Sequence, residues 1–107
     1  MQKKDGIYMS QYVDVGFSNY VEVNKIIGIS RPDSSPIRRL IQQAKQEGRF
    51  IDYTQGKKTR SIIISQCGNN IVVTASAVLT STIVNRIERA KQLATAVGND
   101  ANEDENE

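Results

Sequence analysis

Residues 34–48, SSPIRRLIQQAKQEG, constrain the fold of this chain more than any other stretch. Ser35 suits a helix N-cap, and Pro36 suits the first helical position, where its missing N–H costs nothing. Ile37, Leu40, Ile41 and Ala44 follow at i, i+3, i+4 and i+7, a single apolar stripe. Gly48 supplies the C-terminal cap. A helix with one apolar stripe must bury it on another layer, and the flanking segments read as strands.

Before the helix, Tyr12 to Phe17 alternates, putting Val13, Val15 and Phe17 on one face of a strand. Gly16, Ser18 and Asn19 suit a bulge or tight turn. Val21 and Val23 read as a second short strand and Asn24-Lys25 as a turn. Ile26, Ile27 and Ile29 form an apolar run that ends at Arg31-Pro32, because the residue before proline avoids helix. After the helix, Phe50 to Thr54 reads as a strand and Gln55-Gly56-Lys57-Lys58 as a hairpin connection with Gly56 at positive φ. Thr59 to Ser65 is the return strand, Cys67 to Asn70 a second turn and Ile71 to Ala75 a further strand. Residues 50–75 are thus expected to form an antiparallel three-stranded meander. A second helix starts near Thr80 or Ser81, carries Ile83, Val84, Ile87, Ala90, Leu93, Ala94 and Val97, and ends at Gly98.

The fold class is α+β, a small antiparallel sheet with two helices. At 107 residues the chain has room for one core. Residues 1–11 are polar and read as a flexible extension, 12–98 as the folded domain, and 99–107, NDANEDENE, as an acidic disordered tail. No apolar run approaches the roughly 20 residues that span a bilayer. The N-terminus lacks the apolar core of a secretory signal. The single cysteine, Cys67, excludes a disulfide framework, and the expected compartment is the cytoplasm.

The net charge of +2 conceals a segregation. Five of the 12 acids lie in residues 99–107, so the rest of the chain carries all 14 bases against seven acids, a net of +7. Residues 30–60 alone hold Arg31, Arg38, Arg39, Lys45, Arg49, Lys57, Lys58 and Arg60 against Asp33, Glu47 and Asp52. A basic body suits a polyanionic partner.

Catalysis finds little support. There is no histidine for acid–base work or zinc, and Cys67 has none to activate it. Asp52 and Glu47 have no spacing that sets them apart from ordinary surface charge. Gly56-Lys57-Lys58-Thr59 lacks the upstream glycine and following helix of a phosphate loop. No enzyme activity, cofactor, metal or small-molecule substrate is therefore expected. Lys57 and Lys58 at a hairpin tip, with Arg60 just beyond, are the best binding candidates, although solubility alone would also account for charge at such a tip. Arg38 and Arg39, and then Arg86, Arg89 and Lys91, read first as solvated helix faces. Four tyrosines and two phenylalanines form no stacking platform, which argues against single-strand recognition.

Gly16-Phe17 with Asn19, Ser35-Pro36 before a helix, Ile51-Asp52-Tyr53-Thr54, and Gly56-Lys57-Lys58-Thr59-Arg60 occur here in one order. In that order they resemble the RemA family of bacterial regulators of extracellular matrix genes, from about Val13 to about Ile87. The resemblance implies a DNA-binding regulator of matrix or biofilm genes that assembles into homo-oligomeric rings, with duplex DNA on a basic rim. The family's DNA-contacting arginines correspond to Lys25, Lys57 and Lys58. Lysine keeps the charge and loses the bidentate fork, so phosphate contacts are expected to persist and base reading through these positions to weaken. The residues after Gly98 have no counterpart in the resemblance, and family chains begin near the first strand, which makes Met9 an alternative start to Met1. The expected DNA-binding residues are Lys25, Lys57, Lys58 and Arg60. The competing expectation is an oligomeric scaffold that acts through a protein partner.

Overall fold

The computed structural model describes residues 11–103, with side chains through Leu93. The expected N-terminal extension up to residue 10, the choice between Met1 and Met9, and residues 104–107 of the acidic tail lie outside the described residues.

The chain opens with an antiparallel pair, β1 (Tyr12–Asp14) and β2 (Tyr20–Glu22), with Val13 opposite Val21. The alternation read through to Phe17 stops at Val15. The Val15 amide donates to the Asn19 carbonyl at 2.8 Å and the Asn19 amide to the Gly16 carbonyl at 3.0 Å. Gly16, Phe17 and Ser18 there hold φ of 108°, 55° and 62°. Phe17 thus sits in a turn, exposed, instead of on the buried face. A Cβ on Gly16 would meet Val78 Cγ2 at 3.1 Å, so both space and backbone favour glycine. The second strand ends at Glu22, and Val23–Lys25 form a turn of 3-10 helix that buries Val23 and leaves Lys25 exposed.

β3 (Ile26–Ser30), α1 (Ser35–Gln46), β4 (Phe50–Asp52), β5 (Ser61–Cys67) and β6 (Asn70–Ser76) follow. The four-stranded sheet has the order β3-β5-β6-β4. β5 is antiparallel to both β3 and β6, whereas β4 is parallel to β6. The sheet is therefore mixed, and the expected meander over residues 50–75 does not form. The reason is α1. It carries the chain across one sheet face from edge strand β3 to the opposite edge, and a strand delivered by a helical crossover runs parallel to the strand it left. β5 and β6 then fill the gap as a hairpin joined by Gly68 and Asn69. Gly68 has φ of 61° at the first central position, as a type II′ turn requires.

Ser34, not Ser35, caps α1; its hydroxyl accepts the Ile37 amide at 3.4 Å, and Pro36 falls one place later in the first turn. Gly48 ends the helix with φ of 72°, as expected. The α1 stripe covers Ile62, Val73 and Ala75, with Ala44 fully buried beneath it. On the other sheet face Ile63 meets Val13, Val15, Val23 and Ile83, so β1, β2 and α2 (Thr80–Glu103) form the third layer. Side chains of β5 alternate between these cores, which is why an unbroken Ile62-Ile63-Ile64 run sits at the centre of the sheet. The hairpin is tied down by Ser76 Oγ, which donates to the Val15 carbonyl at 2.7 Å, and by Arg86 Nη1, which donates to the Asp14 carbonyl at 2.8 Å. α2 runs through Gly98, where the sequence predicts an end, and takes in residues 99–103 of the acidic segment. One interior glycine costs a helix only about 1 kcal/mol relative to alanine, which is too little to end a helix by itself.

Candidate nucleic-acid interface

Gln55-Gly56-Lys57-Lys58 is not a hairpin tip, because β4 and β5 lie on opposite sides of β6. It belongs to a connection, residues 53–60, that crosses the end of β6. Both ends of this connection are fixed to that strand: the Tyr53 amide donates to the Ala75 carbonyl at 2.9 Å and the Arg60 amide to the Ser76 carbonyl at 2.8 Å.

Its base is fixed by one carboxylate. Asp52 Oδ1 accepts the Thr54 hydroxyl at 2.7 Å and the Thr54 amide at 2.9 Å. These two bonds, the hydroxyl first, hold the Asp52 carboxyl below its usual range. Thr54 is buried, and its carbonyl accepts the Lys57 amide at 2.9 Å. Gln55 and Gly56 between them have φ of 51° and 81°, the two positive values of a type I′ turn. The expectation of positive φ at Gly56 holds. Lys57, Lys58 and Arg60 are thus exposed side chains on a pinned backbone.

The other cations of residues 30–60 are mostly engaged. Arg49 pairs with Glu47 at 2.7 Å and donates to the Ile71 carbonyl at 2.8 Å, an internal tie that leaves little of it for a ligand. Hydrogen bonds from Arg49 and then Gln43 lower the Glu47 pKa. Lys45 lies over the Phe50 ring at 5.0 Å. Arg38 donates to the Asp33 carbonyl at 2.8 Å. Lys25, Lys57, Lys58 and Arg60 have no side-chain partner among the described residues.

These four do not form one cluster within the chain. Lys25 precedes Ile26, which pairs with Ser65, whereas Arg60 precedes Ser61, which pairs with Ser76. Lys25 is therefore at the opposite end of the sheet, about 20 Å from the basic loop at about 3.3 Å per strand residue. The residue that does join the loop is Arg31, at the end of β3 beside Arg60. Arg31, Lys58 and Arg60 line a cleft of about 380 Å³ together with Asp33 and with Thr80 and Ser81 at the start of α2. Sequence reasoning does not single out Arg31 as a site residue. Its place immediately after the apolar β3 run, at the point where the chain leaves the sheet, is the available signal.

Among the described residues no group of His, Cys, Asp and Glu could hold a metal ion, and no helix is long and apolar enough to cross a membrane. Cys67 is exposed at the β5–β6 turn.

The model of a family described as RemA-like, extracellular matrix regulatory protein A-like, matches residues 12–87. A Bacillus cereus (strain G9842) protein named "Putative regulatory protein" is 59% identical over 80 residues, covering 75% of each chain. A Coprothermobacter proteolyticus protein of the same description is 48% identical over 79 residues, covering 74% of this chain and 72% of its own. One from Crocosphaera subtropica is 37% identical over 89 residues, covering 83% of this chain and 96% of its own.

Proposed function

The chain belongs to the RemA-like family, and on that premise we propose that it is a regulatory protein that binds duplex DNA through the exposed cations of its basic loop. The observation that carries this reading is that Lys57, Lys58 and Arg60 stand free on a loop whose backbone is fixed at both ends. A fixed backbone removes the cost of ordering the loop on binding, so only the lysine and arginine side chains have rotamer freedom left to lose. Lysines in two of the three positions favour phosphate contact over base reading.

Lys25 belongs to the same surface only if contacts are spread out. A separation of about 20 Å corresponds to about six base-pair rises at 3.4 Å each, so one duplex can reach both ends of the sheet. Each subunit offers few contacts, and a homo-oligomeric ring that repeats them multiplies the effect. The exposed Tyr12, Phe17 and Tyr20 of the N-terminal hairpin supply an apolar, aromatic surface for self-association. Control of extracellular matrix or biofilm genes, in the cytoplasm, is the role that goes with this reading. The same aromatic surface favours the second reading, a scaffold acting through a protein partner.

The test is a duplex-DNA titration across a salt series for the wild type and a Lys57→Ala, Lys58→Ala double variant, with oligomer mass measured for both. A steep salt dependence that flattens in the variant while the assembly is intact supports DNA binding through the loop. Superimposable steep curves would remove the loop lysines from the DNA contact, and weak, flat binding by both proteins would favour the protein-partner reading.

A further inference from the structure

The cleft between the end of β3, the basic loop and the start of α2 has features that the DNA-binding reading does not use. Three cations enter it from two separate chain segments: Arg31 from one, Lys58 and Arg60 from the other. Among the described residues the only carboxylate in its lining is Asp33. Arg31 Nη2 reaches Asp33 Oδ2 at 3.2 Å, but both side chains are well exposed, at 75% and 64%, so this pair is weak and easily exchanged for a better anion. The far wall is the first turn of α2, whose leading amides have no intrahelical acceptor. Leu79, the residue before that helix, has no side-chain oxygen to cap them, in contrast to Ser34 at α1.

We propose that this cleft is a phosphate-binding site in which Arg31 joins Lys58 and Arg60. A guanidinium presents a planar fork to two phosphate oxygens, and the ammonium of Lys58 supplies a point charge beside it. Asp33 holds Arg31 while the site is empty and releases it when a phosphate enters. The identification of that phosphate as a backbone phosphate of duplex DNA rests on the function proposed above; the same chemistry would also take a free phosphate group. Arg31 adds a bidentate contact next to a loop that otherwise meets DNA largely through lysine.

The experiment has two arms, each run on the wild type, Arg31→Ala and Asp33→Asn. The first is hydrogen exchange read by mass spectrometry in inorganic phosphate against chloride at equal ionic strength. Phosphate should slow exchange in the segment spanning Thr80 to Thr82, ahead of the Ile83 amide that already donates to the Leu79 carbonyl; the Arg31→Ala change should abolish that protection, and Asp33→Asn should enhance it. The second arm is the duplex titration, in which Arg31→Ala should lower the salt slope by about one for each DNA phosphate that the guanidinium neutralises. Protection by phosphate with no wild-type duplex binding would keep the cleft and overturn the DNA reading. Steep wild-type duplex binding with no phosphate protection and an unchanged slope in Arg31→Ala would overturn the cleft and leave the DNA reading standing.

Discussion

Thr54→Val tests whether the Asp52 carboxylate fixes the basic loop. Valine preserves the shape of a buried side chain and removes only the hydroxyl that donates to Asp52 Oδ1 at 2.7 Å. The Thr54 amide bond to the same oxygen survives, and the exposed carboxylate regains water, so no group is left buried and unpaired. The cost is then that of one net hydrogen bond, about 1 kcal/mol at neutral pH. The hydroxyl bond is also the largest cause lowering the Asp52 pKa from its ordinary 3.8. A carboxyl with a depressed folded pKa contributes stability that is present above its unfolded pKa and is lost as the pH falls through the folded value. The gap between wild type and Thr54→Val should therefore be full at pH 7 and contract once the pH drops below about 4. Urea unfolding at fixed protein concentration, followed at pH 7 and through the acid range, reads the gap directly from the midpoints when the slopes agree. A gap of the same size at pH 7 and pH 3 would show that the hydroxyl acts through packing and would refute the carboxylate as the anchor.

Ser34→Ala should cost about 0.5–1 kcal/mol, toward the low end for a cap because its bond is long at 3.4 Å, while Ser35→Ala should be close to neutral; paired denaturant titrations decide which serine caps α1. Ile63→Ala should destabilise by about 2–5 kcal/mol, since Ile63 is fully buried on the central strand, and a midpoint shift smaller than that of an exposed Ile27→Ala control would contradict its place in the core.

Some of this architecture was legible in the sequence. The α1 boundaries followed from Pro36, Gly48 and a regular stripe, and the error of one residue at the cap arose because two adjacent serines offer the same hydroxyl. The strand through Ile62–Ile64 was legible, whereas its burial on both faces emerges only from the two cores. The pairing partner of β4 was not legible, because Gln55-Gly56 forms a real local turn that mimics a hairpin. The strands stop at Asp52 and start again at Ser61, so the connection is longer than the four residues that the sequence suggests and can cross the end of β6. Hydrophobic alternation carried the first strand through Phe17 because periodicity is blind to the turn that Gly16 begins. Lys57, Lys58 and Arg60 were legible as exposed cations from their run of charge. The company they keep was not, because Arg31 approaches them only through the β3–β5 register and Lys25 is carried away by the same register.

The bonds from Ser76 to Val15 and from Arg86 to Asp14 link the first strands of the domain to its last strand and last helix. A two-stranded hairpin alone is marginal in water, so β1 and β2 have no stable partner surface until Ile83 and Arg86 exist to cover and hold them. During synthesis these early strands emerge well before the helix that covers them. A nascent chain stopped at β6 would have its α1-side core complete and its aromatic hairpin loose, and such a truncated product would be a target for chaperones and proteases until translation resumes.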